Sequence, residues 1–134
     1  MKSNAWTMKL RCTHNSVRIR LKKSDLGTLA ETGRVEEVIH FSPKSRLVFE
    51  LIVGKNYNNV KGEFISGRLS VILPEEQAHK WINTNEVGIE SHQALDGDDR
   101  LHILIEKDFP CNDREDEDKS DTFWELAEDK PESC

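Results

Sequence analysis

The sequence predicts an α+β protein built from two similar halves, each with the element order ββαββ. Short stretches of alternating apolar and polar residues come in pairs that flank turn-forming residues, and an amphipathic helical pattern separates one pair from the next. The apolar positions of residues 8–53 recur 52 positions later in residues 61–107. We expect the halves to form a mainly antiparallel barrel or paired sheets, with two short helices outside.

The first half begins with a predicted hairpin, because residues 8–12 and 17–21 alternate around the turn-forming stretch THNS. Ser24 is expected to cap a short helix that carries Leu26 and Leu29 on one face, and Gly33 is expected to end it. Two strands complete this half, at 35–41 and 46–53.

The second half repeats this order. The stretch GEFISGRLSVIL predicts a hairpin that turns at Ser66 and Gly67. Pro74 stands where helices begin, and the acidic side chains of Glu75 and Glu76 suit the positive end of a helix dipole. The apolar face of this helix is Ala78, Trp81 and Ile82, and the last strands are predicted at 86–92 and 100–107.

Charge divides the 134-residue chain into a near-neutral body and an acidic end. Residues 112–134 hold ten acidic and three basic residues, which predicts a flexible tail. We expect a disordered extension at 1–7 and a single domain at 8–111. The chain has no apolar run of signal-peptide or membrane-span length, and its three cysteines form no CxxC pair. These features favour a cytoplasmic protein without a disulfide framework.

Alternation gives each predicted strand one apolar face and one face rich in charged residues. Arginine forks bind phosphate and carboxylate groups. The charged face therefore supplies the predicted ligand-binding residues, which are Arg11, Arg18, Arg20, Arg68, Arg100, His102 and Glu106. The alternative is that these arginines form cross-strand salt bridges with glutamates of the same face, namely Glu36, Glu50, Glu90 and Glu106.

Four stretches of the chain, MKLRCTHNSVRIRL, GRVEEVIHF, VILPEEQAHKWINTNEVGIE and LHILIEKDFPC, resemble a small family of bacterial proteins with no assigned activity. The resemblance spans about residues 8–123 and implies membership without a biochemical role. Members end in an acidic stretch followed by Asp-Thr-Phe/Tyr-Pro-Asn-Pro. Asp121, Thr122 and Phe123 match that ending, whereas Trp124 and the residues after it replace the proline-rich part.

No catalytic residue, metal site or cofactor is predicted. Candidate metal ligands are present but have no short, fixed spacing; they are His40, His92, His102, Glu106, Asp108 and Cys111. Cys111 could act as a nucleophile only beside a base, and no motif supplies one. Nucleic acid and membranes are not expected partners, because the chain has neither a basic stripe with interleaved aromatic residues nor an apolar span.

The favoured function is a non-catalytic binding module that holds an anionic small molecule or a peptide end on the charged sheet face. The first alternative is an enzyme, since the double ββαββ order is similar to that of triphosphate tunnel phosphohydrolases. That similarity implies inward basic residues for phosphate and inward glutamates for a divalent metal, here Glu50, Glu90 and Glu106. Their N-terminal Glu-x-Glu-x-Lys is missing, because Lys9 and Arg11 stand where acidic residues are expected.

The second alternative is an interaction protein that acts through its acidic tail. Phe123 and Trp124 are apolar residues within that tail, and a purely solvating segment would not need them. We expect them to anchor the tail on a basic surface, either that of a protein partner or the arginine-rich face of the same chain.

Overall fold

The computed structural model describes residues 8–109 and 121–126 and has the expected α+β class. These described residues form eight strands, two helices and one short 3-10 turn. Their bounds are β1 Lys9–Thr13, β2 Ser16–Leu21, α1 Lys23–Thr32, β3 Arg34–Ser42, β4 Ser45–Gly54, β5 Lys61–Ile65, β6 Arg68–Pro74, α2 Glu75–Asn83, β7 Gly88–Ala94, β8 Arg100–Lys107 and the turn η1 Trp124–Leu126. The predicted extension at 1–7, and the predicted tail apart from 121–126, lie outside the described residues.

The eight strands form two four-stranded sheets. Sheet one has the order β1-β2-β8-β7, and sheet two has the order β3-β4-β6-β5. Each sheet joins two antiparallel hairpins through a central parallel pair, β2 with β8 and β4 with β6. Each sheet therefore takes one hairpin from either half of the chain. In the part of the chain that the structure describes, no strand pairing connects the sheets, so paired sheets are right and a closed barrel is wrong.

The pairing registers of the two halves correspond with two different offsets. In the first hairpins, Lys9 faces Arg20 and Lys61 faces Ile72, so both partners advance by 52 positions. Their turns correspond as well, because His14 and Asn15 have positive φ angles and so do Ser66 and Gly67. In the second hairpins the offset is 54, which places the Val35–Leu51 pair on the Ile89–Ile105 pair.

The extra two positions come from the region after α2. This helix is one residue shorter than α1, and four residues, 84–87, connect it to β7, whereas Gly33 alone connects α1 to β3. The expectation that one offset of 52 fits the whole chain, with Val35 on Val87, is therefore wrong for the second hairpins. A two-residue change preserves the alternation of a strand, so the apolar face is unaffected.

One hydrophobic core joins both sheets and both helices. Its fully buried members include Ile19 and Ile103 from sheet one, Leu51 and Val71 from sheet two, and Trp81 from α2. Because side chains alternate along a strand, the charged residues of the two sheets point away from this shared core in opposite directions. Burial of these apolar faces is the main force that holds the sheets together.

The helices are fixed at their ends and by their buried faces. Ser24 is not the cap of α1, because the helix begins at Lys23 and Asp25 Oδ2 accepts the N–H of Lys22 at 2.9 Å. Gly33 ends this helix as expected, with a left-handed φ of 79° that favours glycine. In α2, Ala78 and Trp81 are buried as predicted. Among the described residues, neither helix has the length and apolar character needed to cross a membrane.

A glutamine side chain connects the outer strands of the two sheets. The Gln93 amide of β7 accepts the N–H of Gly62 in β5 at 2.7 Å and donates to the Gly62 carbonyl at 3.2 Å. A Cβ atom at Gly62 would lie only 3.1 Å from Leu101 and 3.3 Å from Ile103. A side chain at position 62 would crowd these two residues, so a glycine suits the close approach of the two sheets here.

Candidate functional site

The outer face of sheet one carries six of the seven predicted ligand-binding residues. The registers of β1, β2 and β8 place them on the side that points away from the core; they are Arg11, Arg18, Arg20, Arg100, His102 and Glu106. The seventh, Arg68, lies on β6 in sheet two. The structure therefore separates Arg68 from the residues with which it was grouped.

Four basic residues form a square on β1 and β2, which we call the basic cluster: Lys9, Arg11, Arg18 and Arg20. Arg11 lies directly opposite Arg18 in the register, and Lys9 lies directly opposite Arg20. Like charges that face each other across two strands repel and destabilise the pair. This arrangement differs from the alternating charges that cross-strand salt bridges require.

Glu106 and Asp108 place carboxylates beside three members of the basic cluster, Lys9, Arg18 and Arg20. Glu106 Oε1 lies 3.5 Å from Arg18 Nε and 3.4 Å from Arg20 Nε, so one oxygen is shared between two guanidinium groups at long distances. Asp108 Oδ2 lies 3.1 Å from Lys9 Nζ. The side chains of Arg18 and Arg20 are 23% and 17% exposed, so both guanidinium groups are partly shielded from water. Each guanidinium has five N–H donors, more than Glu106 can satisfy.

On the outer face of sheet two, glutamates and arginines pair with each other. Glu50 is 3% exposed and accepts hydrogen bonds from Arg34, Arg68 and Ser70 at 2.9, 2.9 and 2.7 Å. Glu36 Oε2 accepts from the same two arginines, each at 2.8 Å. The hydrogen bond from Arg68 holds the pKa of Glu36 below its ordinary value. Arg68 thus belongs to a charge-balanced cross-strand network, as the salt-bridge alternative expects.

A histidine–glutamate cluster occupies the β7–β8 side of the outer face of sheet one. His92 lies opposite His102 in the register, and their rings stack with centroids 4.6 Å apart and planes 8° from parallel. Glu90 Oε2 lies 2.7 Å from His102 Nε2. One ligand atom from each of the three residues lies within 4.8 Å of the other two.

The sequence identified both histidines as candidate ligands, but it named Glu90 only as a metal carboxylate of the phosphohydrolase alternative and did not group it with them. The signal is the Glu-x-His spacing in β7, because residues two apart on a strand share a face. The opposing position of His102 depends on the hairpin register, which the sequence leaves open by a few residues. The other proposed metal ligands lie elsewhere: His40 is on sheet two, Glu106 and Asp108 contact the basic cluster, and Cys111 lies outside the described residues.

The remaining predicted residues have other environments. Arg100 donates to the carbonyl of Asp99 at 3.0 Å. Phe123 is 75% exposed, so it is not buried against either sheet, and Trp124 begins the turn η1. A cavity of about 750 Å³ lies between the loop before β5 and the edge strand β7, with Tyr57, Asn59 and His92 in its lining. None of the predicted arginines contributes to it.

The fold and this face define a small α+β protein with two mixed sheets, one of which presents a basic cluster on its outer face. The chain belongs to a family of unknown function, DUF7009, whose family model matches residues 8–126. This match agrees with the family membership and the extent that the sequence indicated. No curated protein and no solved structure matches the chain in these comparisons.

Proposed function

We propose that the protein is a non-catalytic binding module that holds an anionic small molecule on the outer face of sheet one. The observation that carries this proposal is the facing of like charges within the basic cluster, where Arg11 lies opposite Arg18 and Lys9 lies opposite Arg20. A bound polyanion would convert that repulsion into charge-assisted hydrogen bonds. Partial burial of Arg18 and Arg20 supports the proposal, because such contacts are stronger where water is partly excluded.

The geometry favours a ligand with two or more adjacent phosphate groups. Side chains directly opposite on two strands have Cβ atoms about 5 Å apart, and neighbours two residues apart on one strand are about 7 Å apart. Four basic side chains this close together can contact one polyanion, such as a diphosphate or triphosphate group, at the same time. Glu106 would then act as a hydrogen-bond acceptor that keeps both arginine side chains oriented toward the ligand.

Calorimetric titration with inorganic tripolyphosphate tests this proposal. We expect Arg18→Ala and Arg20→Ala each to weaken binding roughly tenfold to a hundredfold, because a charged hydrogen bond contributes about 1.5–3 kcal/mol. The matched control is Arg46→Ala, which removes the same charge from an exposed position of β4 in sheet two. Equal affinity in all three variants would refute the basic cluster as the site.

The phosphohydrolase alternative has less support from the geometry. A tunnel requires charged faces that point toward each other, whereas the apolar faces of the two sheets meet in one core here. Glu50 also accepts hydrogen bonds from two arginines and a serine, which leaves it little capacity to bind a metal. Release of phosphate from tripolyphosphate that depends on Mg²⁺ or Mn²⁺ would nevertheless establish the enzyme in place of the binding module.

The interaction alternative depends on one observation in the tail. Phe123 precedes the turn η1, and Leu126 is its last residue. Both are 75% exposed within a strongly acidic segment. Exposed apolar side chains beside acidic ones form a motif that can dock on a basic, partly apolar surface. We propose this docking as a second role, with Trp124 as a further anchor.

Three further proposals complete this interpretation. A bacterial, cytoplasmic setting is supported by the family resemblance and by the absence of a CxxC pair in the sequence. Nucleic acid is left out as a partner because the acidic tail would repel it. Internal duplication is supported by the strand orders, since exchanging the two halves converts the order of sheet one into that of sheet two.

A further inference from the structure

A second group of chemically active side chains lies on the same sheet face as the basic cluster but does not belong to it. It consists of Glu90, His92 and His102, and it occupies strands β7 and β8. The basic cluster occupies β1 and β2, toward the opposite edge of the same face. The proposed anion-binding site therefore does not explain why these three residues are together.

The three side chains converge because the strand register aligns them. His92 and His102 are direct cross-strand partners, and Glu90 precedes His92 by two residues, which puts all three on one face. The nearly parallel stacking of the rings, with planes 8° apart, lets both imidazoles present their nitrogens on the same side of the sheet. The carboxylate of Glu90 reaches the same region, because it lies 2.7 Å from His102 Nε2.

Two imidazole nitrogens and one carboxylate oxygen are the donor set of many zinc sites that keep one position open. We propose that Glu90, His92 and His102 form a binding site for a divalent transition metal of the zinc type. The open fourth position faces solvent, since Glu90 and His92 are exposed and His102 is only partly buried. This proposal is independent of the anion-binding function.

Small side-chain rotations are sufficient to reach metal geometry. With metal–ligand distances of about 2.0–2.1 Å, tetrahedral ligand atoms lie about 3.4 Å apart. The present ligand atoms all lie within 4.8 Å of one another, so the widest gap must close by at most about 1.4 Å, while the 2.7 Å contact must open slightly. Both histidines and Glu90 are on the surface, where such rotations cost little.

A bound metal also accounts for the stacked histidines better than the contact between Glu90 and His102 does. Glu90 Oε2 lies beside His102 Nε2, whereas a metal ion would take one ligand atom from each of the three side chains, including both stacked rings.

Cobalt titration of the full-length, metal-free chain tests the site, because four-coordinate Co²⁺ has intense visible absorption bands that octahedral Co²⁺ lacks. We expect one Co²⁺ per chain, displaced by Zn²⁺. His92→Ala and His102→Ala should each weaken binding by about tenfold or more, since loss even of a second-shell partner weakens metal affinity by 10- to 100-fold. Zn²⁺ should also raise the melting temperature of the wild-type protein.

The double variant His92→Ala/His102→Ala provides the decisive comparison. It keeps the acidic tail and all three cysteines, so any metal held by those groups binds equally to both proteins. His40→Ala, on β3 of sheet two, is the matched control and should behave like the wild type. Identical cobalt spectra and affinities in the wild type and the double variant would overturn the proposal, as would the failure of the wild type to bind one more Co²⁺ per chain than the double variant. Tripolyphosphate affinity measured in parallel keeps this result separate from the fate of the anion site.

Discussion

Asp25 shows how a single buried carboxyl group can be both useful and costly to the fold. Its side chain is 3% exposed and accepts the N–H of Lys22 at the start of α1. Burial raises the pKa of Asp25 above its ordinary value, and the negative charge of Asp108 adds to this rise. A carboxyl group with a raised pKa in the folded state favours folding most at low pH, and this contribution is lost as the pH rises through the folded-state pKa.

We therefore expect Asp25→Asn and Asp25→Ala to differ. The asparagine oxygen keeps the hydrogen bond from Lys22 without a buried charge, so the free energy of unfolding near neutral pH should be unchanged or higher. This advantage should disappear at a pH well below 3.8, where the aspartate itself is protonated. Asp25→Ala loses the acceptor of the Lys22 N–H at the start of the helix and should cost about 1 kcal/mol. Urea unfolding at both pH values measures these differences, and an equal loss in both variants would contradict this account.

Individual residues also show where sequence prediction succeeds and where it stops. Alternation correctly placed Arg18, Arg20 and Glu106 on one face, because they lie on neighbouring strands and alternation is a local property. It could not separate Arg68 from them, since the choice of sheet depends on contacts between distant parts of the chain. For the same reason, Glu90 was named only as a metal carboxylate of the phosphohydrolase alternative and was not grouped with the histidines: its partner His102 is brought close only by the hairpin register.

At the scale of elements, Trp81 is the main attachment of α2 to the core. Its side chain is fully buried, and its indole N–H donates to the carbonyl of Val87 at 3.0 Å. Lys107 Nζ lies 5.8 Å from the centre of the indole ring and donates to the Thr84 carbonyl at 2.8 Å. The helix, the connection that follows it and the end of β8 are thus joined around one side chain.

Replacement of this tryptophan should test that attachment. We expect Trp81→Phe to lower the free energy of unfolding by about 1–3 kcal/mol, because the Val87 carbonyl keeps the Lys107 N–H but loses the indole donor, and a void replaces part of the indole. Lys80→Ala, on the exposed side of the same helix, should stay within about 0.5 kcal/mol of the wild type. Denaturant unfolding measures both, and a similar loss in the two variants would show that the attachment lies elsewhere.

The elements themselves were predicted well because each rests on a local signal. The turn residues at Ser66 and Gly67 have the positive φ angles that their hairpin requires. The beginning of β7 was less accurate, since 86–92 was expected and the strand runs Gly88–Ala94. Residues 84–87 are a connection whose length no periodic pattern determines.

At the scale of the whole molecule, the arrangement of the sheets is the feature that local patterns could not predict. The central parallel pairs, β2 with β8 and β4 with β6, join strands from opposite halves of the chain. The sequence offset indicated two similar halves, but it contains no information on whether each half forms its own sheet. The phosphohydrolase alternative, with its tunnel between charged sheet faces, depended on how the two halves form sheets.

The charge division of the molecule predicts salt-dependent tail contacts. If the acidic tail docks on the basic cluster, the fluorescence of Trp124 should be water-like at 1 M salt and less so at low salt, because the Debye length shrinks from about 10 Å at 0.1 M to about 3 Å at 1 M. Subtracting the spectrum of Trp124→Phe isolates this residue from Trp6 and Trp81. A difference spectrum that is already water-like at low salt would show that the tail does not dock.

The hydrogen bonds between Gln93 and Gly62 also bear on self-association of the protein. An outer strand normally presents backbone donors and acceptors that a second chain can extend into a fibril or a swapped dimer. In β5, the N–H and carbonyl of Gly62 are already occupied by the Gln93 amide, which imitates an incoming strand. A neighbouring molecule would have to displace that amide before it could add to β5 there. The glutamine therefore hinders the addition of a second chain to β5, and it also connects the two sheets.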